Sequence, residues 1–124
     1  MTVSTATDTK TVDSKMLSSS LSCHVLDTSR GLPAEGIVLE VLRLDEQQPL
    51  AEGRTDADGR FRFDDLSLDA GHYTLRFHTA DYCQQQFGEA FFPRVDVHFS
   101  VNEQRHYHLP LLLSPYAYSS YRGS

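Results

Sequence analysis

Val95, Val97, Phe99 and Val101 alternate with Arg94, Asp96, His98 and Ser100, and the same period of two recurs along most of the chain. Successive side chains of a strand point to opposite faces, so this pattern predicts half-buried strands. It predicts one over 18–27, with Leu21, Cys23 and Val25 on one face and Ser22, His24 and Leu26 on the other. Further strands are expected over 37–44, 50–56, 60–64 (Phe61 and Phe63 inward, Arg60 and Arg62 outward), 72–79, 94–101 and 105–114. Turn chemistry separates them: Gly31, Pro33 and Gly36 in one loop, DADG at 56–59 in another. Residues 80–88, ADYCQQQFG, show no alternation and read as a short helix or a loop. About seven short strands with at most one short helix define an all-β fold, a β-sandwich.

The pattern begins only at residue 18. Residues 1–17 are rich in Ser, Thr, Asp and Lys and hold too little apolar surface to offset the entropy of ordering. They are expected to form a disordered N-terminal extension, and 18–124 a single domain. A chain of 124 residues, 40% hydrophobic and 23% charged, suits one modest core.

The formal net charge of −6 argues against nucleic acid as a partner, because binding along phosphates needs a basic stripe. No apolar run is long enough for a membrane helix, so no membrane role is expected. The N-terminus lacks the apolar stretch of a secretory signal, and RGS is not a peroxisomal address. The two cysteines, Cys23 and Cys83, have no spacing of a disulfide framework or zinc ribbon and are expected to be free thiols. A cytoplasmic location is expected, with the peroxisome as the alternative.

Several residues could carry chemistry. His106 and His108 lie two apart on one strand, so both rings share a face. That geometry suits a paired acid–base site, two zinc ligands with His24 as a third, or two half-exposed histidines with no role. Cys23 and His24 are adjacent on a strand and point apart, which excludes a thiolate–imidazole dyad and leaves Cys23 to the core. DADGR at 56–60 lacks the spaced ligands of a calcium loop and is read as a hairpin turn with Gly59 at positive φ. Arg60 follows it, either solvated or an anion clamp. The tail after Pro115 carries Tyr116, Tyr118 and Tyr121, whose joint exposure would make an adhesive patch and favour self-association.

Four stretches in register, SCHVLDTSRGLPAEG (22–36), TDADGR (55–60), FFPRVDVHF (91–99) and HYHLPLLLSPYAYSSYRGS (106–124), resemble the transthyretin-like family. The terminal YRGS resembles its enzyme branch, the 5-hydroxyisourate hydrolases. The resemblance covers residues 20–124 and implies a transthyretin-like β-sandwich of seven to eight strands with one short helix near 80–86. It implies a homotetramer, a dimer of dimers with sites at the dimer–dimer interface. It also implies hydrolytic opening of 5-hydroxyisourate to 2-oxo-4-hydroxy-4-carboxy-5-ureidoimidazoline in urate catabolism, with no cofactor and no metal. Residue by residue it points to His24, Arg60, His108 and Ser124 as catalytic, and to His24, Arg60 and Tyr121 as substrate-binding. Leu109 and Ala117 depart from the common valine and glycine, and neither is a site position. The alternatives are a carrier of a small aromatic ligand, as in the transthyretins, a zinc hydrolase built on His24, His106 and His108, or a structural module.

Overall fold

A computed structural model of the protein describes residues 18–124. The disorder expected of residues 1–17 lies outside the described residues. Each of the seven expected runs forms a strand: β1 (Ser20–Asp27), β3 (Val38–Arg43), β4 (Ala51–Arg54), β5 (Arg60–Arg62), β6 (Gly71–His78), β7 (Val95–Val101) and β8 (His106–Leu113). Two short strands join them, β2 (Leu32–Pro33) and β9 (Tyr118–Ser120). Both pair through the backbone alone and have no apolar alternation of their own to announce them. The segment without alternation is a helix, α1 (Ala80–Phe87), which buries Cys83.

The strands form two sheets. One runs β2-β1-β8-β9, with β5 also paired to β1; the other runs β4-β3-β6-β7. The first long strand lies parallel to the last, β1 against β8, over its whole length. β5 and β2 share the opposite edge of β1, at its beginning and end. The core lies between the sheets. Leu21, Cys23 and Val25 of β1 and Tyr107, Leu111 and Leu113 of β8 meet Leu39 and Val41 of β3 and Tyr73, Leu75 and Phe77 of β6, all buried. Burial pushes the Cys23 thiol up to about 12, so it stays protonated.

Asp27, fully buried at the end of β1, turns the chain. Its carboxylate accepts hydrogen bonds from the Ser29 amide and hydroxyl, the Arg30 amide and the Tyr82 hydroxyl of α1. The DADGR turn does the same for β5. Asp56 accepts from the amides of Asp58 and Arg60, and Gly59 takes φ 75°. A Cβ at Gly59 would also run into the Val25 carbonyl oxygen, so only glycine lets the turn sit against β1.

Candidate active site

The core-facing residues of β1 leave Ser20, Ser22 and His24 on the opposite face, each half-buried. Pairing then sets what stands beside them. On the β8 side, Ser20 is opposite His106 and Ser22 opposite His108. On the β5 side, Ser22 is opposite Arg62 and His24 opposite Arg60. Three strands thus assemble one polar row from residues up to 88 positions apart in sequence, His108 and Ser20 being its extremes.

The row is hydrogen-bonded. Ser22 Oγ lies 2.7 Å from His106 Nε2 and 2.8 Å from His108 Nδ1, and Ser20 Oγ lies 2.6 Å from His106 Nδ1. Among the described residues no such contact engages His108 Nε2. Burial, and then the nearby positive charge of Arg60, His106 and His24, holds His108 below the usual imidazole range. Burial, Arg62 and Arg105 do the same to His106. Both rings therefore favour the neutral form, the form in which imidazole accepts a proton.

The C-terminal tail returns to this row. β9 runs antiparallel to β8, and its register extends to an isolated bridge between Gly123 and His108. The Gly123 amide donates to the His108 carbonyl oxygen at 2.8 Å. Gly123 is buried there, and a Cβ on it would fall 2.7 Å from His108 Cδ2. The same register sets Tyr121 opposite Pro110, the residue across from His24. Tyr121 is exposed, as is Ser124. The tail is held by its aromatic rings: Tyr116 packs edge-on against Phe91 and Tyr118 against Phe92. Phe91, Tyr116, Tyr118 and Tyr121 still present much of their surface to solvent.

His24, Arg60 and His108 thus share one neighbourhood, with the tail that carries Tyr121 and Ser124 beside it. Ser20 and Ser22 escaped sequence reasoning, and Gly123 was named only as part of the terminal YRGS, without its packing against His108. Ser20 and Ser22 share the parity of His24, but what they touch depends on β1 lying beside β8. The zinc triad does not form: among the described residues no three His, Cys, Asp or Glu side chains gather as a metal would need, and His106 and His108 converge on a hydroxyl instead. The row lies open on this single chain. Among the described residues, clefts border α1 (Glu35, Arg54, Tyr82), Phe61 and Leu66, and the β9 edge, and a further one is lined by Tyr121, Arg122, His98 and Leu109; none of these is lined by His24, Arg60 or His108.

Known proteins resemble this chain over most of its length. Residues 21–123 match the HIUase/Transthyretin family. A probable 5-hydroxyisourate hydrolase of Schizosaccharomyces pombe is 38% identical over 112 residues, 84% of this chain and 90% of that one. The structure of Klebsiella pneumoniae 5-hydroxyisourate hydrolase superposes with a TM-score of 0.77 at 40% identity, covering 86% of this chain and 99% of the other. Sea bream transthyretin in complex with thyroxine superposes with a TM-score of 0.74 at 32% identity, over 83% and 93%.

Proposed function

This chain belongs to the HIUase/Transthyretin family, and from that premise we propose how its polar row opens a ring. The protein is a hydrolase of 5-hydroxyisourate, the activity named for relatives that match most of its length at about 40% identity. In the reaction, water attacks a ring carbonyl, the adjoining C–N bond breaks, and a carboxylate forms. The attacking water must lose a proton, the carbonyl oxygen must bear negative charge, and the leaving nitrogen must gain a proton.

His108 is the base. Its ring is kept neutral by burial and by cationic neighbours, and its Nε2 has no partner among the described residues. Arg60, exposed and directly across from His24, binds the carbonyl oxygen and stabilises the charge that develops on it; a donor so placed is worth about 2.7–4 kcal/mol. His24 orients the water or returns the proton to the leaving nitrogen. Tyr121 and Ser124 line the substrate from the tail. No resident metal or cofactor has a part in these steps.

A face this open does not exclude water from a reacting ring. A second copy of the chain covers it: the exposed aromatic tail supplies the apolar surface for association, and the working form is a homotetramer with sites between dimers. The observation that carries the reading is the placement of His108, Arg60 and His24 around one stretch of β1. Its test is the His108→Asn variant. Loss of turnover with melting temperature and tetramer retained supports the assignment, and wild-type turnover removes His108 from the mechanism.

A further inference from the structure

The Ser22 hydroxyl stands between two imidazoles, 2.7 Å from His106 Nε2 and 2.8 Å from His108 Nδ1. A hydroxyl has one proton to donate, so it cannot donate to both rings. If both rings are neutral, at least one must donate its own N–H to Ser22, whose oxygen then either donates to the other ring or, with its two lone pairs, accepts from both. Ser20, 2.6 Å from His106 Nδ1, closes the far end. Where Ser22 donates to one ring and accepts from the other, the four groups form a directed chain with two arrangements; acceptance from both rings also leaves the proton of His108 on Nδ1.

In the first, Ser20 donates to His106 Nδ1, His106 Nε2–H donates to Ser22, and Ser22 donates to His108 Nδ1. The proton of His108 then sits on Nε2, the nitrogen that faces away from the chain, and that nitrogen cannot act as a base. In the second, every bond is reversed. His108 Nδ1–H donates to Ser22, Ser22 donates to His106 Nε2, and His106 Nδ1–H donates to Ser20. His108 then offers the Nε2 lone pair. When Nε2 takes a proton, the Nδ1–H bond to Ser22 persists and nothing in the chain needs to turn, the condition of a preorganised site.

We propose that Ser22 and His106 are positioning residues that hold His108 in the Nδ1–H tautomer with Nε2 unprotonated. The inference rests on the hydrolase reading above, in which His108 is the base. It adds two residues that touch neither water nor substrate, and it accounts for His106, whose ring otherwise has no task on this face. Alternation along β1 and β8 makes the arrangement possible, because Ser20 and Ser22 match His106 and His108 in register.

The test uses the full-length 15N-labelled protein at a pH where the rings are neutral. Long-range 15N–1H correlation distinguishes a protonated ring nitrogen from a bare one, and His108→Asn and His106→Gln assign the signals. The expected result is a protonated Nδ1 and a bare Nε2 on His108, lost in Ser22→Ala. A His108 ring protonated on Nε2 in the wild type overturns the proposal, as does a tautomer unmoved by Ser22→Ala. Kinetics give the second readout. Ser22→Ala and His106→Phe should each lower kcat about tenfold or more with KM within about twofold, and the double variant should be no worse than either single, because the residues act as one unit. Ser22→Thr, which keeps the hydroxyl, and His106→Gln, which keeps a polar group near the position of Nε2, should restore most of kcat. Wild-type kcat in Ser22→Ala, or losses that multiply in the double variant, would overturn the proposal. Failure of the wild-type protein to speed loss of 5-hydroxyisourate would instead strike the hydrolase reading, and the tautomer measured in the same sample would still decide this one.

Discussion

Replacing Gly123 with alanine adds one carbon, and the structure says what that carbon meets. The new Cβ would lie 2.7 Å from His108 Cδ2 and 3.2 Å from both the Cβ and the carbonyl oxygen of His108. Carbon atoms rest about 3.5–4.0 Å apart, so ring and tail must separate by roughly 1 Å. Two bonds resist that movement, the 2.8 Å contact of His108 with Ser22 and the 2.8 Å amide bond from Gly123 to His108. If one of them is lost, stability falls by about 1 kcal/mol, a drop in melting temperature of roughly 4–8 °C for a domain of this size. Catalysis should suffer far more, because displacing a reacting group by about 1 Å can cost on the order of 100-fold. The assay generates 5-hydroxyisourate in place with urate oxidase and follows its ultraviolet decay, beside a thermal melt. The expected outcome is a Gly123→Ala protein that folds, melts a few degrees lower and has lost most of its kcat/KM. Wild-type kcat/KM would refute the claim that the tail packs against a working His108.

Three further outcomes follow from the same geometry. Arg60→Gln should lower kcat about 100- to 1,000-fold, the loss of one oxyanion donor, with little change in melting temperature because the side chain is exposed; a change confined to stability would count against its role. Asp27→Ala removes the acceptor of four hydrogen bonds at a fully buried position and should cost about 3 kcal/mol in chemical denaturation, whereas a loss below about 1 kcal/mol would mean that water or rearrangement satisfies the Tyr82 hydroxyl and the turn amides. His106 and His108 are held below the imidazole range in the folded protein, chiefly by burial, so the unfolded chain takes up more protons as pH falls through about 6.5. Stability should therefore decline from that pH downward and level off once both rings are charged in the fold as well; His108→Asn should flatten the decline, and an unchanged slope would contradict the depressed His108.

The long strands β1, β6 and β8 were legible because the face turned to the core is buried. Leu21, Cys23 and Val25, or Tyr107, Leu111 and Leu113, write a period of two that needs no knowledge of the partner strand. β2 and β9 left no such mark, since Leu32–Pro33 and Tyr118–Ser120 are held by backbone pairing at sheet edges. The loop at 56–60 was legible as a tight turn with Gly59 at positive φ, but not as a hairpin: β4 pairs with β3 and β5 with β1, so the turn carries the chain from one sheet to the other, a choice of partner that DADG does not encode. His24, Arg60 and His108 could be named from the resemblance, but their neighbourhood could not be derived from local pattern. It depends on β1 lying between β5 and β8, pairings that join residues far apart in the chain. The roles of Ser22 and Gly123 belong to that level too. A serine on a half-buried strand face looks like any other until a histidine stands on the neighbouring strand, and a glycine near a terminus looks like slack until a ring is found against it.

The central claim is that the His24, Arg60 and His108 face hydrolyses 5-hydroxyisourate with its own side chains. The most direct measurement is the ultraviolet decay of 5-hydroxyisourate with the wild-type protein and with His108→Asn, each with and without a strong chelator. The account predicts acceleration by the wild type that survives chelation, and none by His108→Asn. Acceleration abolished by the chelator, or undiminished in His108→Asn, would contradict it.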